Sequence, residues 1–143
     1  MSEVFQGRSI CNGAAEGEAL VTQQGISFWG GVDPETGLIT EVEHELCGQK
    51  MTGKILVLPS LKGSAGAMWI IIRLAVNKTG PKAIVVPKAD TILVGSVIMA
   101  EIPTVDALSI NPLEKFKDCD WLKVDGTKGT VELKEDNQTF VQR

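Results

Sequence analysis

Apolar and polar positions follow no regular period through the first part of the chain. Val4, Ile10, Leu20, Val21, Ile26 and Phe28 are set apart by Gly7, Gly13, Gly17 and Gly25. Short apolar stretches cut by glycine predict β-strands joined by tight turns. In Trp29-Gly30-Gly31-Val32-Asp33-Pro34-Glu35-Thr36-Gly37, Pro34 presets φ after Asp33 and Gly37 can take a positive φ, so a tight turn is expected. The pattern then changes. Lys54 to Pro59 is a continuous apolar run ended by proline, as a central strand covered on both faces would be. A small-residue loop, Ser60 to Gly66, leads into a helix over Ala67–Val76, which stops at Asn77-Lys78-Thr79-Gly80-Pro81. Ala83 to Pro87 repeats the short strand, so the segment predicts a βαβ crossover with parallel strands.

Thr91 to Glu101 predicts a second short helix, interrupted by Gly95 and ended before Pro103. Thr104 to Leu108 predicts another strand. Trp121 to Gly126 and Thr130 to Leu133 predict a hairpin, and the polar residues 135–143 predict a frayed tail. The helix over Ala67–Val76 is apolar on nearly every face as far as Ile72. One sheet cannot account for all of its burial, so a further surface must cover it.

The 143 residues fit one domain, with a core over about 4–134. Hydrophobic residues make up 43% and charged ones 22%, which excludes a disordered chain. The formal charge of −4, without any basic stripe, argues against nucleic acid as a partner. No apolar run approaches the roughly 18 residues that span a bilayer, and the start Met1-Ser2-Glu3-Val4 has no signal-peptide layout, so a cytoplasmic chain without membrane contact is expected. Cys11, Cys47 and Cys119 are too far apart for a disulfide framework or a metal site of this chain's own. One histidine, His44, and no tyrosine leave Ser, Asp, Glu and Lys for proton transfer.

The strongest constellation is Lys62-Gly63-Ser64-Ala65-Gly66, between a buried strand and a buried helix. A helix start attracts anions, and small residues let a carboxylate or phosphate approach the backbone. Spacing alone favours the plainer reading of Ser64 as an N-cap. His44, among Glu41, Glu43 and Glu45, reads as a solvated loop histidine. Asp33 is either a carboxylate base or a turn residue. Gly30 and Gly31 permit close approach of a ligand or partner to the backbone. Lys88, Asp90 and Asp106 lie at the ends of elements and say little singly.

Several segments together resemble the small subunit, or swivel domain, of the aconitase X family. They are Gly13 to Val21, Ile26 to Gly37 with its Ser-Phe-Trp-Gly-Gly-Val-Asp-Pro core, Gly53 to Pro59 running into Lys62-Gly63-Ser64, Gly80 to Ile84, Ile102 to Val105 and Lys123 to Gly126. The resemblance implies an α/β fold, a swivelling β/β/α domain similar to the mobile small domain of aconitase. It implies half of a heteromeric hydro-lyase that dehydrates a hydroxy acid such as 5-phosphomevalonate or cis-3-hydroxy-L-proline. The iron–sulfur cluster would be held by the partner large subunit, over whose active site this chain would close. Ser64 maps onto the serine taken as proton acceptor, and Lys62, Gly63, Ala65, Gly66, Gly30, Gly31 and Asp33 would line the site. The family often carries a second hydroxyl residue or cysteine after that serine, where this chain has Ala65-Gly66-Ala67. Two other readings compete: a phosphocarrier module, which needs an exposed His44, and a non-catalytic binding domain.

Overall fold

The computed structural model describes residues 2–63 and 65–134; the polar tail foreseen at 135–143 lies outside them. The chain opens with strands β1 (Ser2–Gln6), β2 (Arg8–Cys11) and β3 (Ala14–Val21). A single turn, α1 (Phe28–Gly31), and a small hairpin, β4 (Val32–Asp33) with β5 (Leu38–Ile39), follow. Then come β6 (Ile55–Val57), α2 (Gly66–Asn77), β7 (Ala83–Val85), α3 (Thr91–Ala100) and β8 (Thr104–Asp106). The turn α4 (Pro112–Lys115) and the hairpin β9 (Trp121–Asp125) and β10 (Thr130–Lys134) complete the described chain.

Eight strands form one mixed sheet in the order β1-β10-β9-β3-β6-β7-β8-β2. The parallel pairing foreseen across α2 is present, Ile55 to Val57 lying beside Ala83 to Val85. Strand β3 joins two halves. Its Ala14–Glu18 part pairs antiparallel with β9, and its Ala19–Val21 part pairs parallel with β6. The two edge strands, β1 and β2, are separated in sequence by Gly7 alone. Strands at opposite edges can be adjacent in sequence only if the sheet curls until its edges meet, as in a barrel wall. The seam is tight. The Gly7 N–H donates to Gly129 O at 2.7 Å, and a Cβ on Gly126 would lie 1.9 Å from Cys11 O.

Because side chains alternate along a strand, the central strands feed two cores. Ile55, Val57, Ala83, Val85 and Val105 point into the curled sheet, with Leu122, Val124 and Val131 from its far wall. Phe5 and Phe116 close that interior with ring centroids 5.9 Å apart. Leu56, Leu58, Ile84 and Val86 point the other way, against Ala67, Ile70, Ile71 and Leu74 of α2 and Leu93 and Val97 of α3. The extra surface that α2 requires is α3, with α1 packed near its start. Cover is incomplete: Trp69 and Val76 of α2 remain 65% and 73% exposed.

The two long helices end alike, on left-handed residues Lys78 and Glu101 whose N–H groups close back onto the last turn. They begin differently. Asp90 caps α3 by accepting from the Leu93 N–H at 2.8 Å, whereas the N-cap position of α2 is Ala65, one residue beyond the serine expected there, with no side-chain cap. Asp106, read from sequence as uninformative, is fully buried. It receives Arg8 through two hydrogen bonds of 2.9 and 2.7 Å, and the Ala89 N–H at 2.8 Å, tying β2 to the start of α3.

Candidate active-site loop

The loop from Ser60 to Gly66 leaves the carboxyl end of β6, the end of a parallel strand where α/β folds gather ligands. Its first half is fixed to the segment before α1. Ile26 bridges Leu61, the Ile26 N–H donates to Ser60 O at 3.3 Å, and the Lys62 N–H donates to Ile26 O at 2.8 Å. Gly63 then takes φ +108, which an L side chain rarely adopts. Ser64 lies outside the described residues. Ala65 and Gly66 follow and open α2.

Two further contacts frame this loop. The Lys62 ammonium forms an ion pair with Glu41, whose other oxygen, Oε1, accepts from the Ser27 N–H at 3.0 Å. On the far side, the Trp29 ring lies over Gly66: a Cβ at Gly66 would meet Trp29 Cδ2 at 2.9 Å. Trp29 is nonetheless 59% exposed, because its outer face has no cover. Gly30 takes φ +87 to turn the chain behind Trp29, and Gly31 packs so closely that a Cβ there would lie 3.1 Å from Glu41 Cβ. The structure thus gathers Lys62, Gly63, Ala65, Gly66, Gly30 and Gly31 around one loop.

Asp33 is set apart from them. Its carboxylate accepts from the Glu35 N–H and the Thr36 hydroxyl, and its carbonyl accepts from the Gly37 N–H, so it anchors the turn. That turn leans on the later part of α2, through Arg73 with Glu35 and Asn77 with Pro34 O. At about 1.5 Å per residue, Arg73 and Asn77 lie roughly 10 to 16 Å along the axis from Gly66. Of its two sequence readings, the geometry favours the turn residue.

The solvated loop histidine is also corrected: His44 is only 5% exposed. The loop around it folds back on Thr22 to Ser27, and two of its glutamates serve as acceptors instead of facing water. Glu45 accepts from the Thr22 hydroxyl and the Gln23 N–H, while Glu41 takes the Ser27 N–H. His44 Nδ1 accepts from the Leu46 N–H at 3.0 Å, and Nε2 lies 3.3 Å from Gln24 O, which makes it the donor. A phosphocarrier needs a histidine open to donor and acceptor, and this one is closed by main chain on both nitrogens. The contacts of Glu41 with this loop were hidden in the sequence, because a glutamate in a polar run looks solvated. Burial pushes its carboxyl up, yet Lys62 and the Ser27 N–H together bring it below the ordinary carboxylate range.

A recess of about 580 Å³ beside the loop is lined by Gln24, Glu41, His44 and Lys62 among others. A larger groove, about 810 Å³, lies at the opposite ends of the parallel strands, between Gly13, Lys82, Glu101 and Pro103. Among the described residues, no group of three His, Cys, Asp or Glu side chains comes close enough to hold a metal. Cys11 is half-buried, its thiol pushed up by burial and by Glu101, while Cys47 and Cys119 are exposed elsewhere. These side chains do not fit an iron–sulfur cluster. Among the described residues, no helix is long and apolar enough to cross a membrane.

The family model for the aconitase X swivel domain matches residues 4–133. The chain belongs to the aconitase X swivel-domain family. Thermococcus kodakarensis has a phosphomevalonate dehydratase small subunit that is 43% identical over 134 residues, covering 94% of this chain and 98% of the relative. The phosphomevalonate dehydratase small subunit of Pyrococcus furiosus is 45% identical over 129 residues, 90% of this chain and 94% of that one. Among solved structures, the holo-form crystal structure of Thermococcus kodakaraensis aconitase X superposes with a TM-score of 0.87 at 42% identity, covering 93% of this chain and 99% of that one. The swivel-domain fold expected from the resemblance is therefore the fold of this chain.

Proposed function

We propose that this chain is the small subunit of a two-subunit dehydratase that removes water from 5-phosphomevalonate, and that Ser64 is its proton acceptor. The observation that carries the reading is end-to-end similarity to named small subunits, above 40% identity and over nearly the whole of both chains. A subunit of this kind works only with its large subunit, over whose active site it closes, and the reading carries a cytoplasmic location with it.

The substrate is a 3-hydroxy acid, so dehydration breaks a C–H bond next to the carboxylate and the neighbouring C–OH bond. Ser64 as alkoxide takes that proton, a carbon–carbon double bond forms, and the hydroxyl departs. A serine is a poor base in water. Ser64 stands just before α2 in sequence, and a helix start stabilises an alkoxide once closure expels water, while Gly63, with φ +108 and no side chain, lets an anionic substrate come close to the backbone. The iron–sulfur cluster of the large subunit supplies a Lewis acid for the leaving hydroxyl. The part played by this chain is confined to binding, orientation and proton transfer.

The test is to purify the chain with its large subunit and follow alkene formation from 5-phosphomevalonate and, in parallel, from cis-3-hydroxy-L-proline. Turnover of the phospho-acid alone is expected. Turnover of the proline alone would move the chain to the other substrate class, and full activity without a large subunit would overturn the two-subunit reading.

A further inference from the structure

We propose that Glu41 is a positioning residue for the dehydration, acting through Lys62 to hold the Ser60–Gly66 loop in register with the turn that carries Trp29. The inference rests on the reading of Ser64 as proton acceptor. Backbone hydrogen bonds at Ser60 and Lys62 anchor the start of the loop, and the Trp29 ring lies over Gly66 at its end. Glu41 spans the two supports. One oxygen takes the Lys62 ammonium, the other takes the Ser27 N–H, and its Cβ fills the space that Gly31 leaves by lacking one. Its own backbone is fixed to the same turn, because the Thr40 and Glu41 N–H groups both donate to Gly31 O, at 2.9 and 3.2 Å.

The glutamate is mostly enclosed, with its side chain 18% exposed, and Lys62, at 56%, reaches back to it rather than out to water. Burying a carboxylate costs stability unless it is paired, so this pairing holds the lysine as firmly as the lysine holds the acid. Lys62 is two residues before Ser64. A displacement of about 1 Å at a proton acceptor can cost on the order of 10² in rate, and it does so without loosening the substrate.

Glu41→Gln tests this, because the amide oxygen still accepts from Ser27 while the charge that holds Lys62 is gone. In the complex with the large subunit, kcat is expected to fall roughly tenfold or more, with KM within about threefold. Lys62→Met, at a more exposed position, should give the same split and covers the case in which Glu41→Gln folds poorly. The double variant should be no worse than either single one, since both remove one interaction. Additive losses, or a raised KM with kcat intact, would overturn the proposal. Ser64→Ala run alongside separates the two levels. If Ser64→Ala keeps full turnover, the proton-acceptor reading falls and Glu41's role falls with it. If Ser64→Ala is inactive while Glu41→Gln stays within about twofold of the parent, the role of Glu41 alone is wrong.

Discussion

Helices α2 and α3 are alike from their middles onward: each follows a parallel strand, is largely apolar, packs on the other and ends on a left-handed residue. Their first turns show what each end is for. The start of α3 is closed by its own structure, with Asp90 capping Leu93 and Asp106 holding Ala89. The start of α2 is braced from outside, by Glu41 through Lys62 and by Trp29 over Gly66, and Ala65 brings it no side-chain cap. A helix start that needs only stability is capped, and on the proposed function the start of α2, which would receive the substrate, has its supports moved to the flanks.

The comparison breaks if changes at the two starts have the same kind of effect. The largest expected effect is at α2. Ser64→Ala should lower turnover of the complex by roughly 10² to 10⁴ while melting stays close to the parent, as for loss of a positioned base. A melting shift with turnover per folded complex intact would reduce Ser64 to a structural residue. Next, Gly66→Ala puts a methyl group into the Trp29 ring, which must swing outward. Gly66 is the first residue of the helix, where only part of the interior propensity gain of about 1 kcal/mol applies, so melting should stay close to the parent while Trp fluorescence shifts and turnover drops roughly tenfold.

At α3 the expected effects are on stability. Asp106→Ala leaves the Ala89 N–H without its partner and frees Arg8 into water, so a loss of about 1–3 kcal/mol is expected, read by chemical denaturation, with turnover per folded complex unchanged. Its pH dependence has a fixed sign. Burial pushes the Asp106 carboxyl up, but the hydrogen bonds from Arg8 and the Ala89 N–H bring it below its ordinary value. The stability it provides is therefore complete above about pH 4, the ordinary aspartate value, and is lost as pH falls through the depressed one. The gap between parent and Asp106→Asn should be constant near neutrality and close only in acid. The smallest effect is Asp90→Ala, about 1 kcal/mol for a lost cap, or roughly 3–4 °C in melting temperature, with turnover again intact.

The central βαβ unit was legible because its signals are local. Continuous apolar runs ended by Pro59 and Pro87, with Asn77-Lys78-Thr79-Gly80-Pro81 between, need no partner to be read. The barrel closure was not legible. Nothing in Ser2–Gln6 names Thr130–Lys134 as its neighbour, and β3 reads as one strand although it serves two different pairings. Around the Ser60–Gly66 loop, the gathering of Lys62, Gly63, Gly30 and Gly31 could be anticipated, because glycine and helix-start chemistry are written in the local sequence. Glu41 and His44 could not. Their loop is polar at almost every position, and it is buried by backbone groups of Gln24, Ser27 and Leu46 that no periodicity announces.

The seam at Gly7 also sets the order in which the molecule can be completed. Strands β6, β7 and β8 with their two helices are consecutive in the chain and can pair as they leave the ribosome. Strand β1 is made first and must wait for β10, among the last described residues, before its backbone groups find partners. Long-range pairing of this kind is slow, and until it forms, β1 and the Ala14–Glu18 part of β3 are open edges. A chain cut short before Thr130 keeps its helical layer and is left with a strand edge exposed to any other unfinished copy.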